Sequence, residues 1–202
     1  MKNYKKNLHL LKENNVYSED MEHDACGVGI IASTEGKKSR KVVEYGIEAL
    51  KAVWHRGAVD ADGKTGDGAG IHVEIPKDFF IEKIEVTGHT HDNSEICVGM
   101  IFLPRNDYAA QESCKTIVES ELTKNDFSIY GWRQVPVNPK VLGQTAESNR
   151  PEIAQVLFRK NKIIKTDDLE RDLYEARKKI EKLARENQLK NFYMTLEIHL
   201  FE

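Results

Sequence analysis

The sequence predicts an α+β protein in which sheet and helix pack in layers. Three observations carry this: apolar runs of strand length at residues 26–32, 96–103 and 155–158; helical apolar spacing after Ser39 and after Asp167; and a terminal stretch, 192–200, that alternates apolar with polar residues. The chain has 202 residues and a mass of 23.1 kDa, enough for one domain or one and a half, with a real core. Thirty-three acidic against thirty basic residues leave a net charge of -3, with no block of like charge, so a nucleic-acid partner is not expected. Mean hydropathy is -0.57 and no apolar run approaches the roughly 18 residues of a membrane span, so membrane functions are not expected either.

Residues 1–25 are rich in Lys and Asn, end on Glu19, Asp20, Glu22 and Asp24, and lack the apolar stretch of a secretory signal. They read as a leader, and residues 26–202 as the folded part. Residues 26–32 (CGVGIIA) suit a buried strand whose glycines allow close backbone approach. Ser39 then opens a helix in which Val43, Ile47, Leu50 and Trp54 form a stripe expected to face a core, ending near His55-Arg56-Gly57. Residues 57–70 (GAVDADGKTGDGAG) alternate glycines with Asp60, Asp62 and Asp67 and predict a loop.

Residues 71–75 alternate like a half-buried strand and stop at Pro76, whereas 96–103 (ICVGMIFL) read as a fully buried strand closed by Pro104. Asn106 or Asp107 caps a helix to about residue 122, with Ala110, Cys114, Ile117 and Val118 inward. Residues 127–132 and 155–158 read as strands. Asp167 and Glu170 resemble a capping box for a helix with Leu169, Leu173, Ala176, Ile180 and Leu183 on one face. The chain ends within the strand expected at 192–200, which reads as truncation.

Cys26, Cys97 and Cys114 form no CxxC pair, so a disulfide framework is not expected and a reducing cytoplasm fits. Cys97 lies in an apolar strand and Cys114 on an inner helix face, where burial disfavours the thiolate. Cys26 differs in its setting. Cleavage after Ala25 would join its thiol to a free α-amine of pKa about 7.7–8.0, a nucleophile with its own general base. A Cys/His arrangement would use His23, His55 or His72, and no sequence pattern selects among them. Gly63-Lys64-Thr65 imitates a phosphate loop but lacks the glycine required at Ala58, and Asp60 and Asp62 lack the remaining ligand positions of a calcium loop. Arg56 could pair with a small carboxylate or brace its loop, and Trp132-Arg133 is equally open between ligand contact and structure.

Three blocks, Glu22-His23-Asp24-Ala25-Cys26-Gly27-Val28-Gly29, His55-Arg56-Gly57-Ala58 and Thr65-Gly66-Asp67-Gly68-Ala69-Gly70, resemble in order and spacing the amino end of the glutamate synthase large subunit. Gly131-Trp132-Arg133-x-Val135-Pro136 and Asn191-Phe192-Tyr193 extend the resemblance to about residue 193. It implies the N-terminal part of a class II (type-2) glutamine amidotransferase domain with the N-terminal-nucleophile hydrolase fold, a four-layer αββα sandwich, here incomplete. It also implies that residues 1–25 are a propeptide, that the Cys26 thiolate attacks the amide of L-glutamine while its α-amine moves protons, and that ammonia serves glutamate synthesis from 2-oxoglutarate. Arg56, Gly57 and Asp67 would shape the substrate site. No cofactor or metal is expected in this chain. FMN and an iron–sulfur cluster are implied only for the complete enzyme, whose remaining large subunit and small subunit would be partners, with the electron donor left open.

The chain departs from the family in containing no Asn-Gly pair, which the family uses as an oxyanion hole, and in lacking the downstream arginine and aspartate that hold the α-carboxylate and α-amine of glutamine. Two other readings therefore stand beside the glutaminase: an inactive fragment or interaction module of the same fold, and a stand-alone cysteine amide hydrolase.

Overall fold

A computed structural model describes residues 7, 9, 10, 13, 27–92, 94–162, 166–189 and 192–198. Cys26, His23, most of the leader and the end of the last expected strand lie outside the described residues. The chain divides into two compact units, residues 1–59 with 66–71 and residues 60–65 with 72–202.

In the first unit, α1 (Arg40–Ala52) starts as expected: Ser39 has extended backbone and its hydroxyl accepts from the Lys41 amide at 3.1 Å. A 3-10 turn, Trp54–Arg56, follows. The expected burial of the α1 stripe is not observed. No α1 residue is buried; Val43, Ile47 and Leu50 are half-buried and Trp54 is 76% exposed. Residues 27–33 are not a strand either, and Val28 is 93% exposed, because no described residue offers them a ladder of hydrogen bonds.

The second unit is built on an antiparallel sheet of order β2-β3-β1-β4, from β1 (Cys97–Leu103), β2 (Phe127–Gln134), β3 (Glu152–Lys160) and β4 (Tyr193–Ile198). β1 and β3 are central, with Cys97 opposite Phe158 and Leu103 opposite Glu152. Every described buried apolar residue belongs to this unit.

One sheet face packs under α3 (Tyr108–Lys124) and α5 (Thr166–Glu186), uniting Cys97, Ile101, Val156 and Phe158 with Cys114, Val118, Leu173 and Ile180. The α5 stripe is as expected through Ile180, after which Ala184 rather than Leu183 completes the buried face. The capping box expected at Asp167 lies outside the described side chains. The other face packs under α2 (Lys77–Val86), whose Phe80 and Ile84 meet Ile96, Val98, Tyr130 and Leu157. Helix α2 was not expected, and residues 71–75, expected as a strand, form its irregular approach. The α+β class is as expected: the described residues form one sheet with helices on both faces.

Two local features fix the edges of this core. Asp107 caps α3, its Oδ1 accepting from the Ala110 amide at 2.9 Å. Asp107→Ala is expected to cost about 1 kcal/mol in urea denaturation and Asp107→Asn only a fraction of that, since the amide oxygen can still accept. At the register shift in β2, Gly131 has φ 149°, and a Cβ there would stand 2.9 Å from Thr87 Cγ2, so a side chain is excluded by both backbone and space.

Candidate functional site

Of the expected site residues, Arg56, Gly57 and Asp67 belong to the first unit, and Cys26 lies outside the described residues. The 3-10 turn fixes the backbone of Arg56, whose amide donates to Val53 O at 2.9 Å, while the Gly57 amide donates to Trp54 O at 3.1 Å. The stem of the arginine side chain runs beside Gly27: a Cβ on Gly27 would lie 3.5 Å from Arg56 Cβ and 3.6 Å from its Cγ. The residue that follows Cys26 is therefore in contact range of Arg56. Asp67 comes to the same place from the far side of the glycine loop, its Oδ2 accepting from the Ala58 amide at 2.7 Å. Val59 and Gly66 form an antiparallel bridge next to it, and a Cβ on Gly66 would come 3.3 Å from Ala58 O. The structure thus brings together Arg56, Gly57 and Asp67 with Gly27, all exposed.

The loop residues 60–65 fold within the second unit, and the carboxylate of Asp62 organises them. Asp62 Oδ1 accepts from the amides of Lys64 at 2.9 Å and Thr65 at 2.7 Å; Oδ2 accepts from the Thr65 hydroxyl at 2.6 Å and from the Thr145 amide at 3.2 Å. These bonds, the Thr65 hydroxyl foremost, hold its carboxyl well below the usual carboxylate range. The phosphate-loop reading fails for a structural reason as well: the Lys64 and Thr65 amides already donate to an anion supplied by the chain.

Cys97, Cys114, Trp132 and Arg133 make contacts within the second unit. Burial pushes the Cys97 thiol far up, with the charge of Glu95 adding to the effect, and pushes Cys114 up to about 11. Trp132 Nε1 donates to Glu119 at 2.6 Å, and Arg133 donates to Gln155 at 2.5 Å while its guanidinium lies 5.1 Å from the Phe79 ring centroid, so this pair ties β2 to α3, β3 and α2. His55 and His72 are exposed. Among the described residues no group of three or more His, Cys, Asp or Glu could hold a metal ion. A cavity of about 450 Å³ in the second unit, lined by His89, Asp92, Tyr130 and Arg159 among others, includes none of the expected site residues. Sequence reasoning missed the Asp62 network: its bonds to Lys64 and Thr65 are local, but its partner Thr145 lies 83 residues away.

The family model for class-II glutamine amidotransferases matches residues 26–198. The chain is similar to the glutamate synthase [NADPH] large chain of Azospirillum brasilense, 51% identical over 191 residues, which cover 95% of this chain and 13% of that protein. It is similar also to the ferredoxin-dependent glutamate synthase 2, chloroplastic, of Arabidopsis thaliana, 39% identical over 189 residues (92% of this chain, 12% of that protein). A third relative is the chloroplastic ferredoxin-dependent glutamate synthase of Spinacia oleracea, 39% identical over 179 residues (87% and 11%). The chain therefore spans little more than a tenth of the length of these relatives. On a match that runs from Cys26 almost to the last residue, the chain belongs to the class-II glutamine amidotransferases.

Proposed function

We propose that this chain carries the glutamine-hydrolysing nucleophile of a glutamate synthase. The observation that carries the reading is the placement of Arg56 against Gly27, in a family match that opens at Cys26. Removal of residues 1–25 makes Cys26 the first residue. Its thiolate attacks the side-chain carbonyl carbon of L-glutamine. Collapse of the tetrahedral adduct breaks the carbon–nitrogen bond, the α-ammonium protonates the departing nitrogen, and ammonia leaves a thioester on Cys26. Water, deprotonated by the α-amine, then cleaves the thioester to glutamate and restores the thiol. Arg56, Gly57 and Asp67 shape the wall beside the nucleophile, with the Ala58–Asp67 bond fixing the loop.

The ammonia is consumed with 2-oxoglutarate and two electrons from an external reductant in the remainder of the complete enzyme, together with its small subunit, in the cytoplasm. FMN and the iron–sulfur cluster belong to that remainder. The residues present here do not fit a cluster, since Cys97 and Cys114 are buried core thiols and three cysteines fall short of a four-thiolate set. No described helix is long and apolar enough to cross a membrane. The full four-layer αββα fold is part of the proposal: Met100, Phe102 and Ile153, on the sheet face that α2 covers at one end, are only half-buried, as a surface receiving a second sheet would be.

Intact-mass spectrometry before and after a glutamine-like diazoketone, with and without glutamine, tests the reading. Loss of the first 25 residues and a single glutamine-protected adduct on Cys26 is expected, because burial keeps the other two thiols protonated. A full-length mass without a protected adduct would instead support the inactive module.

A further inference from the structure

We propose that Asp62 and Gly143 are positioning residues for the glutamine site, setting the shape of the loop at residues 57–70; this rests on the function proposed above. Asp62 does two jobs with one carboxylate. It closes its own turn through Lys64, Thr65 and the Thr65 hydroxyl, and it accepts from Thr145 in the short helix α4 (Gln144–Asn149). Thr65 Oγ1 then accepts from the Ala146 amide at 3.2 Å, so the turn is held to α4 at two points. The junction is closed by Gly143. Its φ of -74° is ordinary, so glycine is required there by space alone: a Cβ would overlap Asp62 Oδ2 and Thr65 Oγ1 and stand 2.6 Å from Thr65 N.

The loop stems leave this clasp as a series of cross-loop contacts. Asp60 N donates to Thr65 O at 2.7 Å, Val59 is bridged to Gly66, and the Ala58 amide donates to Asp67 at 2.7 Å. Each contact adjoins the last along the chain, and the final one adjoins Gly57 and Arg56. A five-glycine loop has large conformational freedom, so the clasp removes states that would let the Arg56 and Asp67 stems drift. The chemistry also requires a carboxylate. Asparagine has one acceptor oxygen and would turn an NH₂ towards the donors from Thr65 and Thr145.

The test uses the full chain with Asp62→Asn and Gly143→Ala. Amide hydrogen exchange at Ala58 and Asp60 is expected to accelerate about tenfold or more, with β1 and β3 amides unchanged. For glutamine hydrolysis, kcat/KM is expected to fall about tenfold or more, while Cys26 alkylation by iodoacetamide, which needs no formed pocket, keeps its rate. Asp62→Glu should restore part of the loss. Unchanged exchange at Ala58 in Asp62→Asn, or unchanged kcat/KM against an active wild type, overturns the proposal. A wild type that hydrolyses no glutamine sinks the function proposed above instead, and the exchange result stands apart from it. If Gly143→Ala does not fold, Asp62→Asn alone decides.

Discussion

Replacing Cys26 by alanine is expected to lower glutamine hydrolysis by about 10⁴-fold or more, the scale seen when a covalent nucleophile is removed. No second thiol can substitute. Cys97 is fully buried between β3 and β4, and Cys114 is fully buried on the inner face of α3, so neither can reach a substrate or ionise near neutral pH. Cys26→Ser keeps an oxygen nucleophile beside the same α-amine, but a hydroxyl ionises far less readily, so its activity should lie nearer to alanine than to the native protein. Ammonia release, measured with a coupled assay on the processed chain, checks this. Activity in Cys26→Ala within tenfold of native would remove the thioester route, whereas losses confined to Arg56 or Asp67 variants would relocate the chemistry.

Phe158→Ala is expected to cost about 3–5 kcal/mol, the range for emptying a buried aromatic site. Phe158 has no exposed surface, stands on the central strand β3 opposite Cys97, and meets Phe127 edge to face with ring centroids 5.3 Å apart. Helices α3 and α5 lie on this same face, so neither can collapse into the void without leaving the sheet. Domains of this kind hold about 5–15 kcal/mol in total, and the variant should unfold in part at physiological temperature. Urea denaturation followed by near-UV circular dichroism measures the loss. A cost below about 1 kcal/mol would mean that the sheet repacks more freely than its geometry indicates. Trp54→Ala, at a residue 76% exposed, serves as the contrasting site in the first unit.

The sequence announced elements whose signal is local. The α5 repeat of Leu169, Leu173, Ala176 and Ile180 is a helical stripe with a charged outside, and it is buried. Asp107 and Ser39 cap the helices they were expected to cap, because capping needs only the next three residues. The apolar run at 96–103 became a central strand for a similar reason: with one face under α3 and α5 and the other covered by α2 at one end, it needs no strict alternation. Helix α2 was illegible because Phe79, Phe80 and Ile81 fall on successive faces and Pro76 reads as the end of the residues before it, although Asp78 in its first turn and Lys83 in its last suit the helix dipole. The runs at 27–32 and 71–75 have strand composition, yet a strand exists only where a distant neighbour completes its hydrogen bonds. The site divides in the same way. Arg56 and Asp67 were visible as parts of short blocks, whereas the bond between Asp67 and Ala58, and the dependence of Asp62 on Gly143 and Thr145, appear only once the chain is folded.

The strand order β2-β3-β1-β4 also imposes a timetable on synthesis. β1 is the first strand of the sheet to leave the ribosome and the only one that pairs with both β3 and β4, yet β3 begins about 50 residues later. At 5–20 residues per second, roughly 3 to 10 s pass in which Cys97, Val98, Ile101 and Leu103 have no partner strand to cover them. Closure across that separation also pays its loop entropy before any ladder bond rewards it. During that interval the nascent chain presents its most apolar segment to chaperones and to other nascent chains, and the half-made protein, rather than the finished one, is where aggregation competes with folding.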